Sequence, residues 1–474
     1  MRPRTRTPAA PPAAPPTARP RRTALRRAAV VTGLTAPLFG VAALISAAPL
    51  PPPLGACTGA QCPNPFPRPA HNGNFAGRDA SISVFAGGTF TATGRAAEAE
   101  GQVVVLGDIT IDKTGGGVYN MGVAGVGSRV PPPDGSDHVT TGGNLTVAAT
   151  SSLLIGGSDL SPATAWGNVR HRGTTSGSVV LTPPGQQIQD AAAGDKYASL
   201  RTTIADLSKC AGAATATGTV ATAGPTVTFT GDGTSARQVF TVTDSIGTTA
   251  QAADLVFKGI PAGATVIVNL LADDALVSTN TGSGNPGDPV TDLGPKLLWN
   301  FPNATTARIA GGAQFQGSVL GGNPAGTTTV STPGLDGRVY LAGSLVHTSA
   351  STGVEIHNYP FNGDLPDCAT TPPTTSASAS DSGSPTPTPT PTPSPTPSPT
   401  ASGSDTPEPS HSSGHPHPSG STHPYSPTGT HSGEPLPSTG SGPLLPVGVA
   451  AGSLLAAGGT AFHLSRRRRR GRHG

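Results

Sequence analysis

The sequence predicts a mainly β fold, a stack of short strands with one α-helix beside it. Gly and Pro supply 64 and 52 of the 474 residues, whereas only 12% are charged and 4% aromatic, which disfavours a helical globule. Between about residues 75 and 368, β-type runs alternate with glycine-rich turns at fairly even spacing. Such spacing is typical of short strands stacked around a narrow core.

The β-type runs fall into two groups separated by a helical pattern. Between Asp190 and Cys210, the apolar residues Tyr197, Leu200, Ile204 and Leu207 recur at intervals of three and four, which predicts a helix with one apolar stripe packed on the strands. The runs before and after it are Ser81–Phe85, Gln102–Leu106, Asn144–Val147, Leu153–Ile155, Thr226–Thr230, Val239–Val242, Asp254–Phe257 and Thr265–Leu270.

Residues 1–47 have the features of an export signal. Eight arginines lie in the first 27 residues, and the apolar stretch from Ala28 to Ile45 is followed by the small residues Ser46, Ala47 and Ala48. The Arg21-Arg22 pair leaves both twin-arginine export and general secretion open. Residues 48–69 then form a proline-rich leader that contains two cysteines.

The net charge of +3 comes from the two ends of the chain. Six arginines lie in the last nine residues, and without these and the eight N-terminal ones, 15 Lys and Arg face 26 Asp and Glu. The exported part is therefore acidic, which disfavours nucleic acid as a partner.

The four cysteines are Cys57, Cys62, Cys210 and Cys368. An even number in an exported chain indicates two disulfides, and three pairings are possible. The favoured pairing joins Cys57 to Cys62 in a local loop and Cys210 to Cys368, which would tie the helix to the end of the domain. No metal-type spacing is present, so no metal site or cofactor is expected.

Residues 369–435 consist mainly of Pro, Ser, Thr, Gly and His, with Pro-Thr and Pro-Ser dipeptides from Pro385 to Thr400. They show no apolar periodicity, so they cannot build a core. Proline favours extended polyproline II structure. This segment is predicted to be a disordered stalk that spans the cell wall.

Residues 436–474 combine three elements in order. Leu436, Pro437, Ser438, Thr439 and Gly440 come first, an apolar run over 444–464 is long enough for a transmembrane helix, and an arginine tail follows. This order resembles the LPXTG-type sorting signal of Gram-positive surface proteins. The resemblance implies that a sortase cuts after Thr439 and joins it to peptidoglycan. Contact with the membrane would then be confined to residues 444–464 before sorting, and a retained membrane anchor is the alternative.

Six segments of residues 70–368 are distinctive: Leu297–Ala304, Gln316-Gly317, Gly337–Val339, His357–Phe361, Glu100–Val104 and Gly142–Leu145. With these segments, residues 70–368 resemble the choice-of-anchor A domain of bacterial surface proteins. Gly321–Pro324 departs from the family, which usually has Ala-Pro at this turn. The resemblance implies an adhesive domain with no catalytic residues. The strand pattern is also similar to the β-solenoid of bacterial ice-binding proteins, which implies a β-solenoid with a helix along its side.

These features together predict a cell-wall adhesin or structural surface component of a Gram-positive cell, with the high-GC actinobacteria as the expected group. Its unknown extracellular ligand is expected to be a glycan or a matrix protein. The alternatives are a wall-anchored carbohydrate-active enzyme and a passive coat protein. Glu98 and Glu100 are the paired carboxylates considered for glycoside hydrolysis, but their pattern is more typical of a solvated face. Trp299 is expected in the core, and Trp166 is the candidate for stacking on sugars at the surface.

Overall fold

The computed structural model describes residues 47–69, 71–157 and 165–366, and all of these belong to one compact unit. The rest of the predicted export signal, Cys368, the stalk over 369–435, the Leu436–Gly440 motif and the apolar run over 444–464 lie outside the described residues. Within the described ranges, no helix combines the length and apolarity needed to cross a membrane.

The first half of the described chain is entirely β-structure. Its strands are β1 (Ala47–Pro49), β2 (Ile82–Ala86), β3 (Phe90–Gly94), β4 (Ala96–Glu100), β5 (Gln102–Val105), β6 (Ile109–Lys113), β7 (Gly117–Gly122), β8 (Asp137–Thr141), β9 (Leu145–Val147), β10 (Ser151–Ile155), β11 (Asn168–His171), β12 (Thr175–Ser176), β13 (Ser178–Leu181) and β14 (Gln187–Gln189).

Two helices and sixteen further strands follow. They are α1 (Ala198–Ala213), β15 (Thr219–Ala223), β16 (Thr226–Thr230), β17 (Arg237–Val242), β18 (Asp254–Lys258), β19 (Thr265–Leu270), β20 (Asp274–Ser278), α2 (Pro289–Leu293), β21 (Leu297–Phe301), β22 (Thr306–Ala310), β23 (Gln314–Gln316), β24 (Ser318–Gly321), β25 (Thr327–Val330), β26 (Gly334–Asp336), β27 (Val339–Leu341), β28 (Ser344–His347), β29 (Val354–His357) and β30 (Asp364–Pro366).

Three parallel sheets wrap around the main core, which confirms the mainly β, solenoid-like prediction. We call them the helix-covered sheet, with strand order β14-β11-β8-β5-β2-β27-β24-β21-β19-β17, the loop-covered sheet, with order β13-β10-β7-β4-β29-β26-β23, and the threonine sheet, with order β12-β9-β6-β3-β28-β25-β22-β20. Successive strands of the chain pass from one sheet to the next, so each turn of the chain forms one coil of the stack.

The coils are not stacked in the order of the sequence. The chain enters at the middle of the stack, where β2 pairs with β27, and winds outward to β14. Helix α1 contacts strands of the second half, from β19 to β27, and the chain then winds from β17 back to the middle. The first and last coils therefore meet in the middle, with Val84 opposite Val339.

The predicted helix is present, although its bounds differ from the expected 190–210. A 3-10 turn covers Asp195–Tyr197, and α1 extends to Ala213. The predicted stripe faces the helix-covered sheet, with Leu200 and Ile204 buried against it. The Asn300 side chain donates to the Ser208 carbonyl at 2.9 Å, so buried amides fix the helix to the sheet as well as apolar contacts.

The most recognisable sequence segment, Leu297–Ala304, is part of the core. The Trp299 side chain is fully buried, as predicted, and its indole N–H donates to the Gln316 carbonyl at 2.9 Å. Gly317 follows with a φ of 99°, and a Cβ there would lie 2.8 Å from the Leu297 side chain. Only glycine tolerates both conditions, so these landmarks serve the fold.

The leader over 48–69 packs on the stack. Cys57 and Cys62 form a disulfide, and Leu50 and Leu54 are buried. Cys210 is also disulfide-bonded, but its favoured partner, Cys368, lies outside the described residues. Just after the leader, Asp79 forms a salt bridge of 2.6 Å with Arg338 of the last coil, and neither side chain is exposed.

Candidate functional site

The threonine sheet presents a continuous polar face. Along its strands, inward residues such as Phe90, Ala92 and Ile111 are fully buried, whereas the residues between them are partly exposed. This alternation follows from the two-residue period of a strand. The exposed set consists mainly of threonine and serine, and we call it the threonine face.

A central row crosses seven coils of this face. From one end to the other it contains Ser176, Thr146, Thr110, Thr91, Val346, Thr329 and Arg308, each opposite the next across paired strands. Arg308 is the charged member, and its guanidinium lies 2.8 Å from the Asp274 carboxylate. The five residues from Thr146 to Thr329 thus form an uncharged strip.

Two flanking rows widen the face. On one side lie Thr306, Thr327, Ser344, Thr89, Asp108, Asn144 and Thr174, and on the other Ala310, Ser331, Thr348, Thr93 and Asp112. A depression of about 620 Å³ is lined by Thr93, Ser331 and Thr348 at the second edge. The face therefore combines regular rows with a shallow recess.

Of the three large sheets, the threonine sheet has the most regular pairing. None of its seven strand pairs contains a register shift. The helix-covered sheet shifts register at Ile82 and at Asn168, and the loop-covered sheet at Val354. Unbroken register places outward side chains about 4.8 Å apart between coils and about 6.7 Å apart along a strand.

The outer surfaces of the other two sheets are covered by the chain itself over most of their strands, with β13, where Ser178 and Val180 are exposed, as an exception. Helix α1 and the leader lie on the helix-covered sheet. Backbone amides of Gly125, Ser128 and Arg129 bind carboxylates that point outward from the loop-covered sheet. Of the three sheets, the threonine sheet is thus the one whose outward side chains remain accessible along the stack.

The carboxylates considered for hydrolysis are on the loop-covered sheet, and the expectation of a solvated face for them is wrong. Glu98 is 1% exposed and Glu100 is not exposed. Glu100 accepts from the backbone amides of Ser128, Arg129 and Asn358 at 2.6–2.8 Å. Its oxygens therefore hold loops in place, which explains their burial.

Next to them, His357 links two further acids. Its ring nitrogens lie 2.7 Å from Asp336 and 2.9 Å from Glu355. Burial opposes a charged imidazole, but the hydrogen bonds and charges of the two carboxylates outweigh it and raise the pKa of His357 well above its usual range. Burial, followed by the charge of Glu355, raises the pKa of Glu98 to about 8.

A cavity of about 280 Å³ lies beside this acidic group, between the leader and α2. Phe66 and Tyr359 contribute aromatic walls, Asp336 and Gln316 lie at the base, and Arg68 pairs with Asp292. The Asp336 carboxylate is already bound to His357 and to the Gln316 amide. Over the described ranges, no cluster of His, Cys, Asp and Glu has a metal-binding arrangement.

The threonine face was not predicted, although the sequence contains its signal. Thr89, Thr91 and Thr93 alternate with Phe90 and Ala92, and this two-residue period marks the outward side of one strand. The sequence did not show that several such strands stack in register. Trp166, the expected surface aromatic, is half-buried near Gly135 and Asp134, in the segment before β11 of the helix-covered sheet.

Comparisons with known proteins bear on the family. The chain matches no curated protein sequence. A solved structure of an ice-binding protein from an Antarctic biological consortium is 14% identical and covers 58% of this chain and 87% of its own, with a TM-score of 0.22. The family model described as "Putative Ice-binding-like adhesive domain" matches residues 79–358, which is more than half of the chain. The chain belongs to this family of ice-binding-like adhesive domains.

Proposed function

We propose that the protein is a cell-surface adhesin whose threonine face binds an ordered, hydroxyl-rich surface, with an insoluble polysaccharide as the leading ligand. The observation that carries the proposal is the unbroken register of the threonine sheet. A repeating array of short side chains fits a ligand that repeats as well. Membership of an adhesive-domain family supports the same function.

Threonine suits such a surface for physical reasons. Its hydroxyl both donates and accepts a hydrogen bond, and its branched Cβ restricts χ1, so little side-chain entropy is lost on binding. Each contact is weak, but three rows over up to seven strands offer a face of roughly 13 by 29 Å. Affinity would arise from many simultaneous contacts.

Ice is the second candidate ligand. The family description names it, and the regular spacing of the threonine face would hold surface waters in rows as readily as sugar hydroxyls. An ice-affinity measurement therefore belongs beside the polysaccharide assay.

Display at the surface is the second part of the proposal. The Leu436–Gly440 motif, the apolar run over 444–464 and the arginine tail support cleavage by a sortase and covalent attachment of Thr439 to peptidoglycan. The Pro, Ser and Thr segment over 369–435 would carry the domain through the wall. A Gram-positive cell of the actinobacterial group is the expected source.

The role of the threonine face can be tested by measuring binding of the protein to cellulose, chitin, purified peptidoglycan and ice crystals. We expect saturable binding to at least one of these, and a loss of at least tenfold in affinity for the double variant Thr91→Lys/Thr329→Lys. Lysine would project beyond the hydroxyl rows and prevent close contact. The matched control is Thr202→Lys on the exposed side of α1, which should bind as the wild type does.

Release of soluble sugar, measured in parallel, tests the carbohydrate-active enzyme. Because Glu98 and Glu100 are buried and bound to loops, we expect none. Saturable binding that the double lysine variant retains would refute the threonine face as the site. No binding to any of the four surfaces would favour the passive coat protein.

A further inference from the structure

The two ends of the coil stack differ. At the end formed by β17, β20 and β23, the outer strand edges are occupied. The amides of Thr217 and Gly218 bind the Val239 carbonyl. Ile246 forms a bridge to β20, and Ala253 forms one to Thr279, the residue that follows β20. The Gln314 amide binds the Gly282 carbonyl beside β23. We call this the capped end.

Aromatic side chains close the core at the capped end. The sheet of β15, β16 and β18 brings Phe229 and Phe257 against Phe240 and Trp299, with ring centroids 4.7–6.4 Å apart. A cap of this kind is what a repetitive stack needs to shield its last coil.

The opposite end has no such cover among the described residues. Strands β12, β13 and β14 are each the last strand of their sheet, so each pairs on one side. The core-facing residues Val179 and Leu181 are only partly buried, and Val180 is 45% exposed. We call this the open end.

Backbone groups at the open end point away from the stack. Val169 donates to the Gln186 carbonyl and Asp190 donates to the His171 carbonyl. Because alternate residues of a strand direct their amides to opposite edges, the amides of Gln187 and Gln189 face outward. None of the three edge strands contains a charged residue or a proline, the features that usually prevent pairing at an edge.

The chain leaves the described domain at the capped end. Arg237 of β17 donates to the Leu365 carbonyl at 3.2 Å, and the Thr265 hydroxyl of β19 accepts from the Asp364 amide at 2.9 Å. The residues after Pro366, which include the predicted anchor, thus start from that side. The open end lies at the opposite side of the stack from these contacts.

We propose that two copies of this protein associate through their open ends, independently of what the threonine face binds. A partner that satisfies three strand edges at once must itself be a three-sided stack with exposed edges, and a second open end is such a surface. In a dimer whose two copies are related by a two-fold axis, the strands that face each other across the interface are antiparallel. Since the other end of each copy is capped, the assembly stops at a dimer and forms no fibre.

The contact would be weak in solution. The edge strands contain two, four and three residues, which places the interface among small, transient ones. Copies displayed on facing cells would gain from multivalency, so the dimer would join cells to each other. The neutral edges offer no like-charge repulsion against self-association.

Sedimentation velocity of residues 46–370 over about 10 µM to 1 mM tests the dimer. This range includes both strands of the β1–β30 pair and all four cysteines, and it contains the compact described unit. We expect a monomer that shifts to a dimer with rising concentration. Gln187→Pro, which removes an outward amide but no bond to β11, and Val180→Lys, which adds charge, should each raise the dimer dissociation constant at least tenfold.

The control Thr202→Lys should leave the dissociation constant unchanged. Circular dichroism and the melting temperature confirm that each variant is folded. Hydrogen exchange adds a separate readout, because the amides of Gln187 and Gln189 should be protected at high concentration and not at low concentration. Three results would each overturn the proposal. The protein could remain a monomer throughout the range, or its dimer could be insensitive to both edge variants. The two amides could also be protected already at low concentration, which would mean that the chain covers its own edge.

Discussion

Replacing Arg338 by methionine should destabilise the whole domain. The Arg338 guanidinium lies 2.6 Å from the Asp79 carboxylate, also donates to the Gly55 carbonyl and to Asn358, and is fully buried. Methionine fills much of the same space but leaves the Asp79 charge without its partner. Removing one member of a buried ion pair costs about 3–5 kcal/mol of the free energy of unfolding.

The assay is urea and thermal unfolding of residues 46–370. The expected decrease in the free energy of unfolding lowers the melting temperature by about 5–15 °C. Because Asp79 and Gly55 lie in or beside the leader, proteolysis near residues 62–77 should also accelerate. A second variant, Arg338→Met with Asp79→Asn, removes the buried charge as well and should recover part of the stability.

Arg308→Met is the matched control. It breaks an ion pair of similar length, 2.8 Å to Asp274, but the two side chains are 39% and 64% exposed. Exposed pairs contribute less than about 1 kcal/mol. If Arg338→Met lowers the free energy of unfolding no more than Arg308→Met does, burial is not what makes the Arg338 pair strong, and the reasoning is refuted.

Three further predictions concern separate parts of the chain. Burial and then Glu355 raise the pKa of Glu98 from 4.5 to about 8, so the folded protein keeps a proton that the unfolded chain loses. Stability should therefore fall from pH 5 to pH 8 by up to about 1.4 kcal/mol per pH unit, and Glu98→Gln should flatten this slope in urea titrations. An unchanged slope would contradict the assignment. Trp299→Ala should lower the free energy of unfolding by about 3–5 kcal/mol, and Trp166→Ala, at a half-buried position, should lower it clearly less. Equal decreases for the two variants would show that Trp299 is not the core anchor. Thr439→Ala should move the protein from the wall digest to the membrane fraction, whereas unchanged wall attachment would exclude sortase cleavage at this residue.

The strand runs and the helix could be predicted because they depend on local periodicity. Leu200 and Ile204 mark a helix face without reference to anything distant. The order of the coils could not be predicted. Nothing in Val84 or Val339 indicates that they lie opposite each other, because parallel pairing in a stack is fixed by the path of the whole chain.

The candidate sites also combine features that local sequence predicts with features that depend on the whole chain. The alternation of Thr89, Thr91 and Thr93 is visible in the sequence, but a face exists only when several such strands align. Glu98 looked like a solvated residue because it lies in a short run of alanines and glutamates with no large apolar neighbour. Its burial follows from the loop whose Gly125 amide binds its carboxylate at 2.7 Å, a contact across 27 positions that no local pattern encodes.

The pairing of β1 with β30 determines how the domain would respond to tension. Ala48 and Pro49, which follow the predicted export signal, lie opposite Leu365 and Asp364 in this antiparallel pair. A pull on the chain after Pro366 therefore opens the pair one residue after another, starting from the Pro366 end. Peeling β30 from β1 releases about 10 Å of slack. The load then travels along the chain toward Asn358, whose amide is held by Glu100 at 2.8 Å and whose side chain contacts Arg338. A cell held against flow would thus stretch this short strand first, while the coils that carry the threonine face keep their register.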